Sequence, residues 1–393
     1  MTINHHPLQS LREGHWFKLI CGASFQHLPA IRSLTIAYAL AGADCIDVAA
    51  DPAVITVSRE AIAVAGELMA GVEDQLVWTK NRNRGLPWLM VSLNDGEDPH
   101  FRKAFFDPEA CPSDCPRPCE TICPAQAIVF DQMLEGQPDS FSGVVAQRCY
   151  GCGRCLPICP IQHIAAHSHV STPTTLAPLV LPWVDAVEIH TQVGRYREFA
   201  TLWQAIVPWV DRLKLVAVSC PDGEGLIDYL WSLYDLISPL PGALIWQTDG
   251  RPMSGDIGDG ATRAAVRLGQ KVLAARLPGS VQLAGGTNAH TVEKLATLGL
   301  LNPARRALIE DFPVEVSASA PTPYIAGVAY GSYARVLLSP VLEELEVRSR
   351  SDCALPSGHL EAFPDLLRQA VHLAETLVAP LKFPVQTHQP LLQ

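Results

Sequence analysis

The chain of 393 residues has a formal net charge of −11, with 48% hydrophobic and only 18% charged residues. This length exceeds one ordinary domain, and the composition can fill a large core. The acidic excess argues against nucleic acid or an anionic membrane as the main partner. No apolar run approaches the roughly twenty residues of a membrane-spanning helix, and residues 1–14 lack the apolar core of a signal peptide. We therefore expect a soluble, cytoplasmic protein.

Three short apolar strands are predicted before a cysteine-rich region. They cover Phe17–Cys21, Cys45–Ala49 and Trp88–Leu93, with helices predicted over Leu28–Ala41 and Pro52–Met69. Each strand is rich in Val, Ile, Leu or Ala and apolar on both faces, as expected of parallel strands that are covered on both sides. Pro29 and Gly42 suit the start and the end of the first helix.

The same strand–helix pattern resumes after the cysteines. Five more strands are predicted, at Ala186–Ile189, Leu213–Val218, Ala243–Gln247, Val281–Ala284 and Tyr324–Val328. The helices that follow them are predicted at Arg197–Val210, Leu226–Leu236, Ala261–Ala275, Ala289–Leu298 and Tyr333–Leu345, with a last helix at Gly358–Ala379. Eight such units predict a (β/α)8 barrel. An open, doubly wound α/β sheet is the alternative, because a sequence does not reveal closure.

These elements divide the chain into four parts. Residues 1–97 and 173–349 are predicted to form the two parts of the barrel. Residues 98–172 are predicted to be an inserted ferredoxin-like domain, and residues 350–393 a C-terminal helix and tail.

Eight of the twelve cysteines lie within residues 111–159. The second run, Cys149-x2-Cys152-x2-Cys155-x3-Cys159-Pro160, has the spacing of a bacterial-type [4Fe–4S] ferredoxin. The first run, Cys111-x3-Cys115-x3-Cys119-x3-Cys123-Pro124, has wider gaps and the same Cys-Pro ending. A disulfide framework would need an oxidising compartment, and the spacing does not divide into tetrahedral zinc sites.

In two-cluster ferredoxins the fourth cysteine of each run ligates the other cluster. By that rule one cluster is held by Cys111, Cys115, Cys119 and Cys159, and the other by Cys149, Cys152, Cys155 and Cys123. The wider spacing of the first run leaves open whether its cluster is of another type.

A barrel would place functional residues directly after its strands, at the C-terminal face. The candidates are Ser24, Asp51, Asn94, His190, Asp222, Asp249, Asn288 and Tyr330. The loops after strands seven and eight contain Gly285, Gly286, Thr287, Gly327 and Tyr330, which resemble the phosphate-binding corner of flavin-dependent barrel oxidoreductases. They predict a possible flavin or nucleotide site. Plain glycine-rich turns are the alternative, because neither loop contains an Arg or Lys to bind a phosphate.

Two N-terminal segments, Lys18–Ser24 and Cys45–Pro52, together with the two cysteine runs, resemble the light-dependent period protein A family of cyanobacteria. The resemblance implies an iron–sulfur protein that reports cellular redox state, set by light and photosynthetic electron flow, to the circadian clock. It also implies association with Kai oscillator components and clock histidine kinases. It extends to the eight cysteines and provides no catalytic residue.

Three functions are compatible with these patterns. The first is a non-enzymatic redox sensor, with a possible link to ferredoxin or the quinone pool. The second is a ferredoxin-linked oxidoreductase, possibly flavin-dependent, with its site at the C-terminal face of the barrel. A simple electron carrier ranks last, because the barrel is larger than electron transfer requires. No nucleophile elbow, zincin motif, Walker loop or Rossmann fingerprint occurs in the sequence, which favours the sensor.

Overall fold

The computed structural model describes residues 6–22, 27–70, 85–96, 102–123, 126–134, 139–146, 148–149, 155–168, 173–250, 261–303, 323–351 and 359–383. Eight parallel strands of this part close into a barrel, so the predicted barrel is confirmed and the open sheet is not observed. The strands are β1 (Trp16–Gly22), β2 (Cys45–Ala49), β3 (Trp88–Asn94), β8 (Ala186–His190), β9 (Leu215–Pro221), β10 (Ala243–Asp249), β11 (Ser280–Ala284) and β12 (Ile325–Tyr330). Around the barrel, β1 is followed by β12, β11, β10, β9, β8, β3 and β2.

Helices follow the strands at nearly the predicted positions. They are α2 (Leu28–Ala41), α3 (Pro52–Ala70), α7 (Tyr196–Ile206), α8 (Leu226–Ile237), α9 (Ala261–Ala274), α10 (Thr291–Thr297), α11 (Ser332–Ser351) and α12 (Pro364–Lys382). The predicted helix Arg197–Val210 ends early, and a 3-10 turn over Val207–Arg212 replaces its last part. Pro208 accounts for this, because its ring and missing N–H do not fit a helix interior.

Outside the cysteine module, two of the described helices were not predicted. Helix α1 (Pro7–Glu13) precedes β1, and the His6 side chain caps it by accepting from the Leu8 N–H. Helix α6 (Pro173–Val180) precedes β8 and contains Pro178. Both are short, and α6 contains two prolines, so neither carries the long apolar periodicity by which helices are recognised.

A small module of two antiparallel strand pairs lies, along the chain, between β3 and β8, which are themselves paired in the barrel. Strand β4 (Arg102–Phe105) pairs with β7 (Ala165–Ser168), and β5 (Ile128–Met133) pairs with β6 (Ser140–Val144). Two short helices, α4 (Pro118–Ile122) and α5 (Cys155–Ile158), lie between these strands along the chain. The module therefore interrupts the barrel between two adjacent strands. Its ferredoxin-like classification and its limits at residues 98 and 172 stay predictions.

The last helix, α12, and the residue Glu361 just before it bind to elements near the start of the chain. Lys382 lies in an ion pair with the buried Asp44 and donates to the Ser10 hydroxyl at 3.0 Å. The Arg32 guanidinium of α2 binds Glu361, just before α12, through two bonds of 2.6 and 2.7 Å. Among the described helices, none combines the length and the apolar character needed to cross a membrane.

Candidate functional site: the cysteine module and the barrel interior

The chain makes the same backbone contact to the cysteine of each of the two Cys-Pro motifs. The Ala127 N–H donates to Cys123 Sγ at 3.3 Å, and the His163 N–H donates to Cys159 Sγ at 3.3 Å. The residue before each of these donors, Gln126 or Gln162, has a positive φ of 48° or 51°, which is uncommon for a residue other than glycine. Two copies of such a turn indicate a repeated structural unit in which each sulfur receives a backbone donor from the fourth residue after it.

The first predicted ligand set lies together in the structure. Burial raises the pKa of the Cys111 thiol, and the nearby thiols of Cys115 and Cys159 raise it further. Burial also raises the pKa of Cys119, opposed by the N–H groups of Cys119 and Glu120, while Cys159 and Cys111 add to the increase. Cys111, Cys115, Cys119 and Cys159 are therefore close enough to interact electrostatically.

Cys159 differs from these thiols in its hydrogen bonding. Burial acts to raise its pKa, but the backbone N–H groups of His163, Ile161, Ile164 and Gln162 outweigh burial and lower it. A thiolate surrounded by N–H donors is stabilised as the anion that an iron atom requires.

The second predicted set is only partly described, because Cys152 lies outside the described residues. Cys149 is buried and accepts from the Ala104 N–H of β4 at 3.4 Å. Cys155 is buried at the start of α5, and Cys123 is partly buried at the end of α4. The sulfurs of Cys119, Cys155 and Cys159 pack in one apolar cluster with Phe106, Ile128 and Ile164.

This donor set fits an iron–sulfur cube. Within the described residues, no three His, Cys, Asp or Glu side chains gather closely enough to hold a single metal ion. An iron–sulfur cube requires thiols that are spaced apart, since each thiolate binds a different iron at the corner of a larger inorganic core. Thiols spread around an apolar cluster, with backbone donors on their sulfurs, meet that demand.

Strand β4 connects the module to the barrel. Lys103 Nζ lies 3.1 Å from Asp51 Oδ2, in the turn after β2, and donates to the Ala146 carbonyl at 2.5 Å. The other Asp51 oxygen accepts from the Ala53 N–H at 2.8 Å at the start of α3. The next residue after Lys103 is Ala104, the donor to Cys149. Two consecutive residues of β4 therefore contact the barrel rim and a predicted cluster ligand.

The barrel interior contains charged residues where a barrel is ordinarily packed with branched apolar side chains. Lys18 of β1 forms an ion pair with Glu188 of β8 and lies 3.3 Å from Asp47 of β2. All three side chains are at most 2% exposed. Ser92 donates to Asp47 Oδ1 at 2.8 Å, whereas Asp47 Oδ2, the oxygen 3.3 Å from Lys18 Nζ, accepts no hydrogen bond from the described residues.

Hydrogen bonds extend this centre toward both ends of the barrel. Gln247 donates to Glu188 at 2.6 Å, Gln282 donates to Gln247 at 2.5 Å, and the Trp16 indole donates to Gln282 at 2.6 Å. Toward the C-terminal face, His190 Nε2 lies 3.1 Å from Glu188. The interior is therefore one connected polar network that ends at the barrel mouth.

Burial and charge act in opposite directions on the three ionisable groups of this network. Burial acts to lower the pKa of Lys18, but Glu188 and Asp47 outweigh it and raise the value. Burial acts to raise the pKa of Glu188, but the charges of Lys18 and His190 and the hydrogen bonds from Lys18 and Gln247 together outweigh it and lower the value. For Asp47 burial prevails over Lys18 and raises the pKa to about 6. Lys18 and Glu188 are therefore the firmly charged pair, and Asp47 is the group that titrates.

The predicted residues of the barrel mouth have different environments. Asp51 is buried and His190 is half-buried, whereas Asp222 is exposed and paired with Lys271 at 2.6 Å. Ser24 lies outside the described residues. A neighbouring carboxylate that was not predicted, Asp95, accepts from the Thr191 hydroxyl at 2.5 Å and lies 3.0 Å from Arg195 Nε.

The predicted phosphate corner is largely occupied by the protein's own contacts. A Cβ on Gly327 would lie 2.4 Å from the Trp16 carbonyl, so this glycine allows β12 to approach β1. Tyr330 is buried and stacks on Phe17 at 5.0 Å between ring centroids. The Thr287 hydroxyl donates to the Ala329 carbonyl at 2.6 Å. Gly285 and Gly286, both at positive φ, form a partly exposed turn after β11.

The sequence analysis did not identify Lys18, Asp47, Glu188 or Lys103 as functional residues. For the first three a signal was present, because each is a charged residue in the middle of a strand predicted to be buried on both faces. Lys103 carried no comparable signal, since its partner Asp51 is distant in sequence.

Comparison with known proteins agrees with this organisation. The family described as "LdpA Fe-S cluster-binding domain" matches residues 111–170, and the family described as "Light dependent period A C-terminal domain" matches residues 179–380. A protein of Synechococcus elongatus named "Light dependent period A" is 50% identical over 377 residues, which are 96% of this chain and 94% of that protein. The resemblance recognised in the sequence is thereby confirmed. The chain belongs to the light dependent period A family and contains its iron–sulfur cluster-binding domain.

Proposed function

We propose that the cysteine module binds two [4Fe–4S] clusters with exchanged ligands. Cys111, Cys115, Cys119 and Cys159 hold the first, and Cys149, Cys152, Cys155 and Cys123 hold the second. The repeated Cys-Pro turn supports this proposal most directly, since each run ends in the same sulfur-directed geometry. The mutual proximity of Cys159 and the first run supports the exchange of the fourth ligand.

We further propose that the protein is a redox sensor of the circadian clock, acting in the cytoplasm. Bound clusters would supply one-electron chemistry, whose potential depends on hydrogen bonds to sulfur and on exposure. The relative's name, "Light dependent period A", supports a role in setting the clock period according to light. Its partners would be Kai oscillator components and clock histidine kinases, with ferredoxin or the quinone pool as the redox link.

The contacts of β4 provide a physical route for the signal. A sensor needs an element with two arrangements that the signal can bias. The Ala104 N–H bonds the Cys149 sulfur, while Lys103 joins the module to Asp51 at the barrel rim. An added negative charge near Cys149 would strengthen its bond from Ala104 and would attract the Lys103 ammonium. Both effects displace β4 relative to α3, whose first turn Asp51 caps.

Ligand exchange is tested by counting iron and sulfide in anaerobically purified protein and recording EPR spectra of the reduced state. About eight irons per chain are expected for two cubes. Cys123→Ser should damage the cluster of the second run and leave that of the first. Cys220→Ser is the control, because the Cys220 thiol donates to the Pro221 carbonyl at 3.5 Å, as a serine hydroxyl also can. Loss of the first run's cluster in Cys123→Ser would contradict the exchanged assignment.

Sensing is tested by measuring affinity for purified clock proteins with the clusters reduced and oxidised. A difference that vanishes in the cluster-free protein is expected. Equal affinities in both states would refute the sensor while leaving the cluster assignment intact. The alternative is an oxidoreductase with a flavin or nucleotide in the barrel, and flavin released by acid from anaerobic protein would favour it.

A further inference from the structure

An open cavity of about 290 Å³, lined mostly by exposed side chains, lies between the first turn of α9 and helix α10. Helix α9 follows β10 in the chain and α10 follows β11, so the start of each helix is on the side of the C-terminal face of the barrel. Thr262 and Asn288 form part of its lining. The Thr262 hydroxyl donates to the Gly286 carbonyl at 3.1 Å, which joins the start of α9 to the glycine turn after β11. The cavity is therefore part of the face where barrels place their ligand sites.

Three basic side chains line this cavity. They are Arg263 on α9, His290 before α10 and Lys294 on α10, and Glu293 is the single acidic residue among the described lining residues. Within the described part of the chain, neither Arg263 nor Lys294 forms an ion pair. The chain as a whole carries a formal charge of −11. Three basic side chains around one cavity are therefore a locally basic region on an acidic protein.

This combination suits a phosphate group. Arginine offers a planar pair of N–H donors that matches two phosphate oxygens, and lysine adds a point charge. A neutral imidazole can still donate from one ring nitrogen. The volume lies at the lower end of the range for small-molecule sites, so a compact phosphorylated molecule fits and a large dinucleotide does not. The cavity is distinct from the sequence-predicted corner, because none of the five corner residues is among its described lining residues.

We propose that this cavity binds the phosphate group of a small phosphorylated metabolite. Arg263 and Lys294 bind the phosphate oxygens, and His290 donates one further hydrogen bond. The proposal goes beyond redox sensing, because it gives the barrel a metabolite-binding site that is separate from the cysteine module.

The test is calorimetric titration of the full chain, purified anaerobically, with inorganic phosphate, AMP and glucose 6-phosphate, and with adenosine as the uncharged probe. Saturable binding of at least one phosphorylated probe and none of adenosine is expected. Arg263→Gln and Lys294→Gln should each weaken binding about tenfold or more, since each removes a charged hydrogen bond. Glu293→Gln should tighten phosphate binding, because it removes the nearby negative charge.

Arg267→Gln is the matched control. Arg267 is exposed on α9 one turn beyond Arg263 and does not line the cavity, so its loss should leave binding unchanged. Absence of saturable binding of every phosphorylated probe up to about 10 mM would overturn the proposal. So would equal binding by wild type and the Arg263→Gln/Lys294→Gln variant, or adenosine binding as tightly as AMP. Cluster content should be unaffected in all variants, which separates this result from the test of redox sensing.

Discussion

Replacing Lys18 by methionine removes the single cation of the buried charge centre and keeps a side chain of similar length. Glu188 and Asp47 then remain in the barrel interior, where all three side chains are at most 2% exposed. Removal of one partner from a buried ion pair typically costs about 3 to 5 kcal/mol, because the other charge is left uncompensated. We expect a loss of that size in the free energy of unfolding at pH 7.

The same loss can be worked out from protonation. Without Lys18, Glu188 can become neutral by binding a proton. At a pH above its unfolded pKa of about 4.3, this protonation costs about 1.4 kcal/mol of stability for each pH unit. This amounts to about 4 kcal/mol at pH 7 and about 1 kcal/mol at pH 5. In the wild type, Lys18 lowers the pKa of Glu188, so the stabilisation from this group is present above its unfolded pKa and lost as the pH falls. The difference in the free energy of unfolding between wild type and Lys18→Met (the stability gap) should therefore increase as the pH rises from 5 to 7.

The assay is urea unfolding at pH 5, 6 and 7 under anaerobic conditions, followed by tryptophan fluorescence. Trp16 and Trp246 are buried in the barrel and provide the signal. Lys214→Met is the control, because Lys214 forms an ion pair of 2.6 Å with Asp185 in which the side chains are 51% and 32% exposed. Such a surface pair should contribute less than about 1 kcal/mol, with little change between pH 5 and 7.

Two results would refute the charge argument. One is a gap below about 1 kcal/mol at pH 7, which would mean that Lys18 is not the essential counter-charge. The other is a Lys18→Met/Glu188→Gln variant that is no more stable than Lys18→Met, which would assign the loss to packing instead of charge.

Three further predictions concern neighbouring contacts. Burial raises the pKa of Asp47 to about 6, so its ionisation destabilises the fold as the pH rises from about 4 to 6. Relative to wild type, the free energy of unfolding of Asp47→Asn should therefore increase by up to about 3 kcal/mol between pH 4 and 7. A relative decrease in urea unfolding would contradict this. Gly327→Ala should cost about 1 to 3 kcal/mol in the same assay, since its Cβ would meet the Trp16 carbonyl, whereas Gly331→Ala, with no neighbour closer than 3.7 Å, should be nearly neutral. Lys103→Met should abolish any redox dependence of amide exchange in the first turn of α3, measured by mass spectrometry; an unchanged redox response would exclude Lys103 as the link.

The barrel could be predicted because its strands are short, mainly apolar runs and because polar residues mark where such runs end. Strand β2, for example, is a short run between Asp44 and Asp51 that is apolar except for Asp47, and it forms at the predicted Cys45–Ala49. Strands covered on both faces are apolar at most positions, which makes them visible as nearly continuous runs. Helix α1 was missed because seven residues are too few for a periodic pattern, and its cap is a histidine, which is an unusual capping residue.

The charge centre could not be assembled from sequence. Lys18, Asp47 and Glu188 lie on three strands separated by long stretches of chain, and only the closed barrel brings them together. Each was visible as a charged residue in an apolar strand, but the pairing depends on barrel order and register. The cysteines show the opposite case, because their spacing is local and encodes the ligand chemistry directly, whereas the contact of Lys103 with Asp51 is again a product of the fold.

The polar interior bears on how a barrel can respond to a redox module. Replacing a buried ionic group with apolar residues is often neutral or stabilising, so stability alone gives no reason for Lys18, Asp47 and Glu188. The electrostatic energy of a charged network changes when a charge is added at one end, whereas an apolar core contains no charges that would respond. His190 extends this network to the barrel mouth, and the ion pair of Lys103 with Asp51 lies at the same face. We therefore extend the proposed redox function to the barrel, as the part whose charges respond to the module, with Asp47, whose pKa burial raises to about 6, as its most adjustable group.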